Sequence, residues 1–350
     1  LRITGAMRTT PTAAMEALLG IYPLHIHIQS TAMGSALRSI IVSKRQVTEG
    51  HLSIIKKLHN WEYLTTCTDV IVPVKALGNK FSTTILEAEN WNIDDLHLER
   101  NTSVWYTDGS KTDEGSGYGV NGPRTKKSVS LGINATIFQA ELLAIHDCVE
   151  CIHSHKPKGS SFAILSDSQA VIKSLITTET KSRLVMDCRD SVNELAKHNR
   201  VRICWVPGHK GVEGNEIADE LARKGASTKL IGPEPACGLN WSSSLTSIKE
   251  WSERKRDNHW NQTHLTGGSK RLIKPHARKD ILTLPRRDLR NVTGLLTGHN
   301  NLRYHLQKMG LSTEITCRLC ANAVETSIHV MGECTALMKS RWALTGKIQL

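Results

Sequence analysis

The middle of the chain alternates short apolar runs with amphipathic stretches, a pattern that predicts strands and helices in succession. Three consecutive runs are predicted strands: residues 103–107, 117–120 and 128–131. A helix follows over residues 137–152, with an apolar face formed by Leu142, Ile145 and Val149. The remaining predicted elements are a strand at 161–166, helices at 170–175 and 189–198, a strand at 201–206 and a helix at 216–225. Three strands followed by alternation indicate an α/β domain with a mixed sheet.

The first 60 residues show helix-start signals and a helical period. Pro11 and Pro23 each stand where a helix would begin, and Gly20 closes the first run. Apolar residues recur at a spacing of four in the second run: Leu24, Ile28, Ala32, Ala36 and Ile40. We therefore predict a small helical segment over residues 1–60. Residues 61–100 show no firm period and are predicted to be a linker.

The length and composition exclude several classes of protein. At 350 residues the chain exceeds what one hydrophobic core usually organises, so two or more domains are expected. No apolar run approaches the roughly 18 residues that a membrane helix needs, and no secretory signal is present. Nine cysteines at irregular spacings favour an intracellular, reducing compartment, in the cytoplasm or nucleus. The chain opens on Leu1 rather than Met, which favours a piece of a longer polypeptide.

The positive charge is concentrated in the last third of the chain. Residues 229–350 carry 19 Lys and Arg against 9 Asp and Glu, whereas the rest of the chain is nearly balanced within a total of +12. We predict a basic helical region over residues 229–300, which would bind nucleic acid through its phosphates. A solvated helix face is the alternative interpretation of such a basic run.

Four acidic residues fall where the predicted elements end or cross the sheet: Asp108, Glu141, Asp167 and Asp219. Asp108 and Asp167 each follow a largely apolar strand, which directs them at a site rather than at bulk water. Because buried carboxylates that lie together need cations, and because hard oxygen ligands select Mg²⁺ or Mn²⁺, these residues predict a divalent-metal centre.

Four short motifs carry a family resemblance: Tyr-Thr-Asp-Gly-Ser at 106–110, Gln-Ala-Glu-Leu at 139–142, Ser-Asp-Ser-Gln at 166–169, and Trp-Val-Pro-Gly-His at 205–209 with Gly-Asn-Glu-Ile-Ala-Asp at 214–219. Together they resemble a type 1 ribonuclease H domain over residues 101–228, with the acids in the family's order. The resemblance implies a ribonuclease H-like mixed five-stranded sheet with flanking helices. It also implies two-metal-ion hydrolysis of the RNA strand of an RNA–DNA hybrid.

The resemblance assigns a role to each motif residue. It implies that Asp108 holds both Mg²⁺ (or Mn²⁺) ions, that Glu141 and Asp167 hold the one that activates water, and that Asp219 holds the one facing the leaving oxygen. His209, on a Gly-flanked loop, would shuttle protons or assist product release. Contacts to the substrate, including the 2′-hydroxyl that distinguishes RNA from DNA, would come from the following residues: Gly109, Ser110 and Gln169.

A second candidate metal site lies near the C-terminus, in a predicted zinc-knuckle region over residues 301–350. Cys317, Cys320, His329 and Cys334 follow the spacing C-x2-C-x8-H-x4-C, which suits one structural, tetrahedral Zn²⁺. Buried cysteines beside an unrelated histidine are the alternative. Cys148 and Cys151, on the predicted catalytic-domain helix, are interpreted as packing residues.

The flanking segments carry a further resemblance, on the stretches 3–11, 295–299, 302–303 and 309–311. They look like the segments around the ribonuclease H domain in insect non-LTR retrotransposons of the jockey group. The first 60 residues would then be the tail of a reverse transcriptase, covalently continuous with the rest in the full-length polyprotein. The chain lacks a polymerase palm, so no polymerase activity is expected.

Two other functions stay open at the level of sequence. The first is a nucleic-acid binding or tethering module with an inactive nuclease, in which the basic tail and the knuckle do the binding. The second is a DNA-cutting transposase or integrase with the same sheet, which the segment 166–169 and the loop around His209 disfavour.

Overall fold

The computed structural model describes residues 3–43, 48–59, 61–76, 78–86, 92–155, 157–208, 210–264, 269–273 and 279–349. The chain divides into two compact units, a larger one formed by Ala32–Ile248 and a smaller one formed by Leu1–Thr31 together with Lys249–Leu350. The larger unit is thus inserted between two parts of the smaller one. The domains predicted from the sequence are consecutive segments, whereas the smaller unit combines residues from both ends of the chain.

The strands all lie in the larger unit: β1 Val70–Lys75, β2 Ser82–Thr84, β3 Ser103–Lys111, β4 Ser116–Gly122, β5 Thr125–Gly132, β6 Ser161–Ser166, β7 Glu179–Ser182 and β8 Arg200–Trp205. The main sheet has the order β2-β8-β6-β3-β4-β5. β2, β8, β6 and β3 pair in parallel, and β3, β4 and β5 pair antiparallel. The predicted mixed sheet and its three opening strands are therefore present.

The helices in the described residues are α1 Thr12–Leu19, α2 Leu24–Ser43, α3 Glu49–Ile55, α4 Trp61–Thr66, α5 Ile137–Ser154, α6 Gln169–Ile176, α7 Arg183–Leu195, α8 Glu213–Ser227, α9 Trp241–Gln262, α10 Ser269–Leu272, α11 Arg286–Thr297, α12 Arg303–Lys308 and α13 Met338–Thr345. Single turns of 3₁₀ helix lie at Ile93–Leu96, Lys279–Thr283 and Thr335–Leu337, and a π-helical turn lies at His329–Glu333. None of the helices in the described ranges is long and apolar enough to cross a membrane.

The expectation of a five-stranded sheet is wrong by one strand. The additional edge strand, β2, pairs in parallel with β8, with Ser82 opposite Arg202 and Thr84 opposite Cys204. It lies in the segment 61–100, which was predicted to be a linker. A strand of three residues leaves no alternation to detect, and its pairing partner lies far along the chain.

Asp69, in the predicted linker, makes a second set of contacts with other residues of the larger unit. This buried carboxylate accepts hydrogen bonds from Ser182 Oγ at 2.7 Å and from the backbone amide of Leu184 at 2.8 Å. Ser182 also caps α7, because its side chain accepts from the amide of Val185. These caps start α7 at Arg183, six residues before the predicted start of the helix at residue 189.

The core of the larger unit covers both faces of the sheet. On one face lies the main cluster, to which α5 contributes the fully buried Leu142, Ile145 and Val149 predicted from its period. Cys148 is buried in the same cluster and Cys151 packs against it, in agreement with their interpretation as packing residues. A second cluster consists of Leu96, Ala163, Leu165, Cys204 and Val206. Leu96 precedes β3, so a residue of the predicted linker completes the covering of the central parallel strands.

The two ends of the larger unit are adjacent. A Cβ atom built on Gly34 in α2 would lie 4.0 Å from Ile248 Cδ1 in α9. The guanidinium of Arg38 lies over the ring of Trp241, 5.2 Å from its centroid. Neighbouring chain ends are a common property of domains inserted into another domain.

The smaller unit has its own apolar cluster, in which the two ends of the chain meet. Ala14, Ala17 and Leu18 of α1 pack with residues that come much later in the chain: Trp260, Ile273, Ile281 and Leu289. This unit carries most of the positive charge, with 20 Lys and Arg against 9 Asp and Glu in residues 1–31 and 249–350, that is +11 of the total of +12.

We predict that Leu96→Ala destabilises the protein by about 2–4 kcal/mol, because it opens a cavity in the second cluster. Ile93→Ala, in the same 3₁₀ turn, is the matched control, since Ile93 is 38% exposed. Urea unfolding followed by circular dichroism measures both. Equal effects of the two substitutions would contradict an integral role of this segment.

Candidate active site

Three of the four predicted acids converge at one edge of the larger unit. One carboxylate oxygen from each of Asp108, Glu141 and Asp167 lies within 4.8 Å of the other two. β3 and β6 are parallel neighbours in which Thr107 pairs with Ser166, so the next residue of each strand, Asp108 and Asp167, meets the other. The register of this central pair therefore brings the two aspartates together.

Glu141 reaches the same place because α5 begins close against β3. Thr136 caps the helix, and its side chain and that of Gln139 form a reciprocal capping box. A Cβ atom on Gly109 would lie 2.5 Å from the backbone nitrogen of Glu141, so only glycine permits this approach. Asp108 and Glu141 are both buried.

The electrostatics of the site disfavour the charged forms of Asp108 and Glu141. Burial, followed by the charges of Asp167 and Asp219, raises the pKa of Asp108 to about 8. Burial, followed by the charges of Asp108 and Asp167, raises the pKa of Glu141 to about 10. The backbone amide of Gly109 donates to both carboxyl groups and lowers each pKa by a smaller amount. Without a cation, the site therefore holds protons at neutral pH.

One oxygen of Glu141 has no protein partner. Oε2 of this side chain is buried and makes no hydrogen bond within the described part of the chain. An orphaned carboxylate oxygen among two further carboxylates is a donor set that fits a hard divalent cation such as Mg²⁺ or Mn²⁺. The residues present thus fit the metal that the resemblance implies.

Asp219 lies near this group but is not one of its three close members. It belongs to α8, and its Oδ2 accepts a 2.6 Å hydrogen bond from Arg223 one turn later. Its charge still contributes to the raised pKa of Asp108. α8 is fixed to the sheet by hydrogen bonds from Asn121 Nδ2 to Gly214 O at 3.0 Å and from Ser128 Oγ to Leu221 O at 2.7 Å.

Three of the other predicted site residues lie next to the acids along the chain, and the fourth is not among the described residues. Gly109 and Ser110 continue β3 directly after Asp108, and Gln169 begins α6 two residues after Asp167. Gln169 Oε1 accepts a hydrogen bond from Lys173 at 3.1 Å. His209 lies outside the described residues. The residue before it, Gly208, is close to the acids, because a Cβ there would lie 2.8 Å from Asp167 Oδ2.

Asn215 is a candidate that the sequence analysis did not single out. It is buried, and its Oδ1 makes no hydrogen bond with the described residues. It stands four residues before Asp219 on α8, so both share one face of the helix. The signal in the sequence was its place in the motif Gly-Asn-Glu-Ile-Ala-Asp at 214–219.

The C-terminal cysteines and histidine form a compact group in the smaller unit. The donor atoms of Cys317, Cys320, His329 and Cys334 all lie within 4.8 Å of one another. Cys317 Sγ is 3.9 Å from Cys334 Sγ, and Cys320 Sγ is 3.4 Å from His329 Nε2. A tetrahedral zinc ion with ordinary Zn–S and Zn–N bonds separates such pairs by about 3.8 and 3.5 Å, so the donor set fits zinc.

Backbone amides surround this group as well. The amide of Leu319 donates to Cys317 Sγ at 3.4 Å. Amides of Asn322 and Ala323 bond to Cys320 and lower its pKa, the amide of Asn322 having the largest effect. These N–H donors favour the thiolate of Cys320, the form that binds a metal, whereas burial raises the pKa of Cys334.

Comparison with known proteins identifies the domain that carries the acids. Residues 100–227 match the family model described as RNase H. Residues 100–227 are therefore an RNase H domain, which confirms at the level of this family the resemblance predicted over 101–228. The chain is also similar to the N-terminal RNase H domain of a Mycobacterium tuberculosis protein, solved as a fusion with maltose-binding protein. That similarity has 20% identity, a TM-score of 0.30 and coverage of 36% of this chain and 98% of the other.

We predict that Glu141→Gln stabilises the magnesium-free protein. Because the pKa of Glu141 is raised on folding, the folded state binds more protons than the unfolded state, and wild-type stability falls as pH rises from about 5 towards 10. The amide escapes this loss, so the variant should gain on the order of 1–3 kcal/mol at pH 8. Thermal unfolding across this pH range measures the gain.

The matched control is Glu150→Gln, an exposed position on the same helix, which should change stability little. Addition of Mg²⁺ should stabilise the wild type more than Glu141→Gln. A variant that is destabilised at pH 8 in the absence of Mg²⁺ would contradict the repulsion inferred at this site.

Proposed function

We propose that this chain hydrolyses the RNA strand of RNA–DNA hybrids by two-metal-ion catalysis. The observation that carries the proposal is the convergence of Asp108, Glu141 and Asp167 within a segment that matches the RNase H family. Three carboxylates held together in a largely buried site do not stabilise the fold, because each opposes the ionisation of the others. Their cost is consistent with a site that binds cations and acts on phosphodiesters.

The proposed ligands follow from the positions of the acids. Asp108, between Asp167 and the charge of Asp219, would hold both ions. Glu141 and Asp167 would hold the one beside the attacking water, and Asp219 the one beside the leaving oxygen. Bound in this way, two Mg²⁺ or Mn²⁺ ions supply an activated water and neutralise charge on the scissile phosphate. His209 is proposed to carry protons or to assist product release.

Selectivity for RNA in the cleaved strand has to come from contacts with the 2′-hydroxyl. Gly109 and Ser110 extend β3 from Asp108, and Gln169 starts α6 beside Asp167. Their amides, hydroxyl and carboxamide offer donors and acceptors next to the acids. We assign them to substrate contacts, with Asn215 as a further polar group on the α8 side.

The wider context is proposed from the flanking segments. Their resemblance to jockey-group retrotransposons supports a fragment of a polyprotein in which a reverse transcriptase supplies the hybrid. The basic smaller unit would add nucleic-acid affinity, because its charge of +11 compares with +1 for residues 32–248.

The RNase H proposal is tested with labelled RNA–DNA hybrid, single-stranded RNA and duplex DNA, with and without Mg²⁺. We expect magnesium-dependent loss of RNA from the hybrid only, reduced by about 100-fold or more in Asp167→Asn. Asp190→Asn is the control, since Asp190 is an exposed carboxylate on α7. Equal behaviour of wild type and Asp167→Asn, with binding intact, would favour the tethering module. Cleavage of duplex DNA would favour the transposase alternative.

We also propose that Cys317, Cys320, His329 and Cys334 hold one structural Zn²⁺. The charge around the group supports this assignment. Three thiolates, a neutral imidazole and Zn²⁺ sum to a single negative charge, and the buried Arg341 lies beside it, donating to Cys334 O at 2.5 Å. A buried guanidinium is costly unless a negative charge lies near, so the loaded site and Arg341 stabilise each other.

We predict one zinc per chain in the purified protein, measured by inductively coupled plasma mass spectrometry. Cys320→Ser should lose most of this zinc and lower the thermal stability of the smaller unit, because metal binding contributes folding free energy. Cys151→Ser, which removes a half-buried thiol outside the group, should keep the full zinc content. Full occupancy in Cys320→Ser would refute the assignment.

A further inference from the structure

A cavity of about 360 Å³ lies in the smaller unit, and none of the four proposed zinc ligands lines it. Its walls come from three stretches that are distant in sequence: the N-terminal loop at residues 5–7, helix α11 with the turn at 299–302, and Arg318 of the Cys-x-x-Cys turn. Two of the flanking stretches noted in the sequence, 3–11 and 295–299, therefore meet at this one place.

The N-terminal wall is held by specific contacts. Gly5 has a φ of 65°, and a Cβ on it would lie 3.0 Å from Arg290 Cβ. Thr9 Oγ1 lies 3.1 Å from His299 Nδ1 and 3.4 Å from His305 Nε2. The loop thus contacts α11 at Arg290 and the residues that follow α11 at His299 and His305, which gives the cavity a fixed wall.

The lining offers hydrogen-bond donors and positive charge. Arg290 and Arg318 contribute guanidinium groups, and the carboxamides come from Asn291, Asn300 and Asn301. None of the lining residues, all of them in the described part of the chain, is acidic. Arginine matches the geometry of a phosphate better than any other side chain, since its fork donates two parallel hydrogen bonds.

One of the two arginines is already oriented. Arg318 donates from Nε to Glu325 Oε1 at 3.0 Å and from Nη2 to Asn301 O at 3.0 Å. Glu325 is 2% exposed, so this pair fixes the side chain against the cavity wall. Arg290 has an exposed side chain on α11 and is the less constrained of the two.

We propose that this cavity binds a backbone phosphate of a nucleic-acid strand, with Arg290 as its main contact and Arg318 beside it. The unit that contains it carries +11, so a polyanion is the ligand that its field concentrates. The inference deepens the proposed nucleic-acid binding by the basic unit but does not depend on hydrolysis. It would hold if the acids of the larger unit were inactive.

Binding is measured by fluorescence anisotropy with a labelled RNA–DNA hybrid and a labelled single-stranded RNA. The full chain carries Asp167→Asn so that the probe stays intact. Arg290→Ala should weaken binding about tenfold and reduce the salt dependence by about one phosphate contact. Arg287→Ala is the matched control: it removes the same charge from the same helix, but its side chain is 89% exposed and does not line the cavity. It should weaken binding about twofold or less, since exposed charges are screened.

A second variant tests the wall rather than the charge. Gly5→Ala places a methyl group against Arg290 and strains the loop, so it should weaken binding while the net charge stays the same. Unchanged zinc content and thermal stability in Arg290→Ala show that the fold is intact.

Three results would overturn the proposal. Equal losses in Arg290→Ala and Arg287→Ala would show that only the general field of the unit attracts nucleic acid. Unaltered binding in Arg290→Ala would exclude the cavity outright. A nucleoside monophosphate that binds as tightly as the oligonucleotide would make the cavity a site for free nucleotides. The binding measurements stay interpretable if the nuclease assay fails, because they need the probe to be bound and not cut.

Discussion

The mutual repulsion of Asp108, Glu141 and Asp167 is the constraint on which the larger unit depends. One carboxylate oxygen from each lies within 4.8 Å of the other two in a largely buried site, where charge is costly. Only a rigid frame keeps them there: the register of β3 and β6 aligns the two aspartates, and the bare backbone at Gly109 admits α5 and its glutamate. Holding the three carboxylates together lowers the stability of the fold, and a bound cation would offset this loss by neutralising their charge.

Much of this frame could be predicted from local patterns in the sequence. The central strands are apolar runs bounded by polar residues, and the buried face of α5 follows a helical period through Leu142, Ile145 and Val149. Elements that depend on distant partners could not be predicted in this way. β2 forms because its three residues pair with the neighbouring strand β8. α7 starts at Arg183 because Asp69, which lies 115 residues before Leu184, accepts a hydrogen bond from the Leu184 amide.

The residues of the candidate sites also differ in whether local sequence patterns could predict them. Asp108, Glu141 and Asp167 could be predicted because each belongs to a motif at the end of an element or on its buried face. The environment of Asp219 could not be predicted, because its hydrogen bond with Arg223 depends on side-chain geometry. The cysteine and histidine spacing near the C-terminus indicated a metal site by itself. The cavity beside Arg290 had no local signal, since its walls come from both ends of the chain.

The insertion of one unit into the other sets an order for folding during synthesis. A ribosome releases α1 before the larger unit, yet its partners Trp260, Ile281 and Leu289 emerge only after that unit. The larger unit has its own cores and adjacent ends, so it can fold while the smaller unit is still incomplete. Until those partners emerge, α1 exposes an apolar face, and exposed apolar surface of this kind favours aggregation. The nascent chain can thus assemble its acidic centre before all residues of its basic unit have been synthesised.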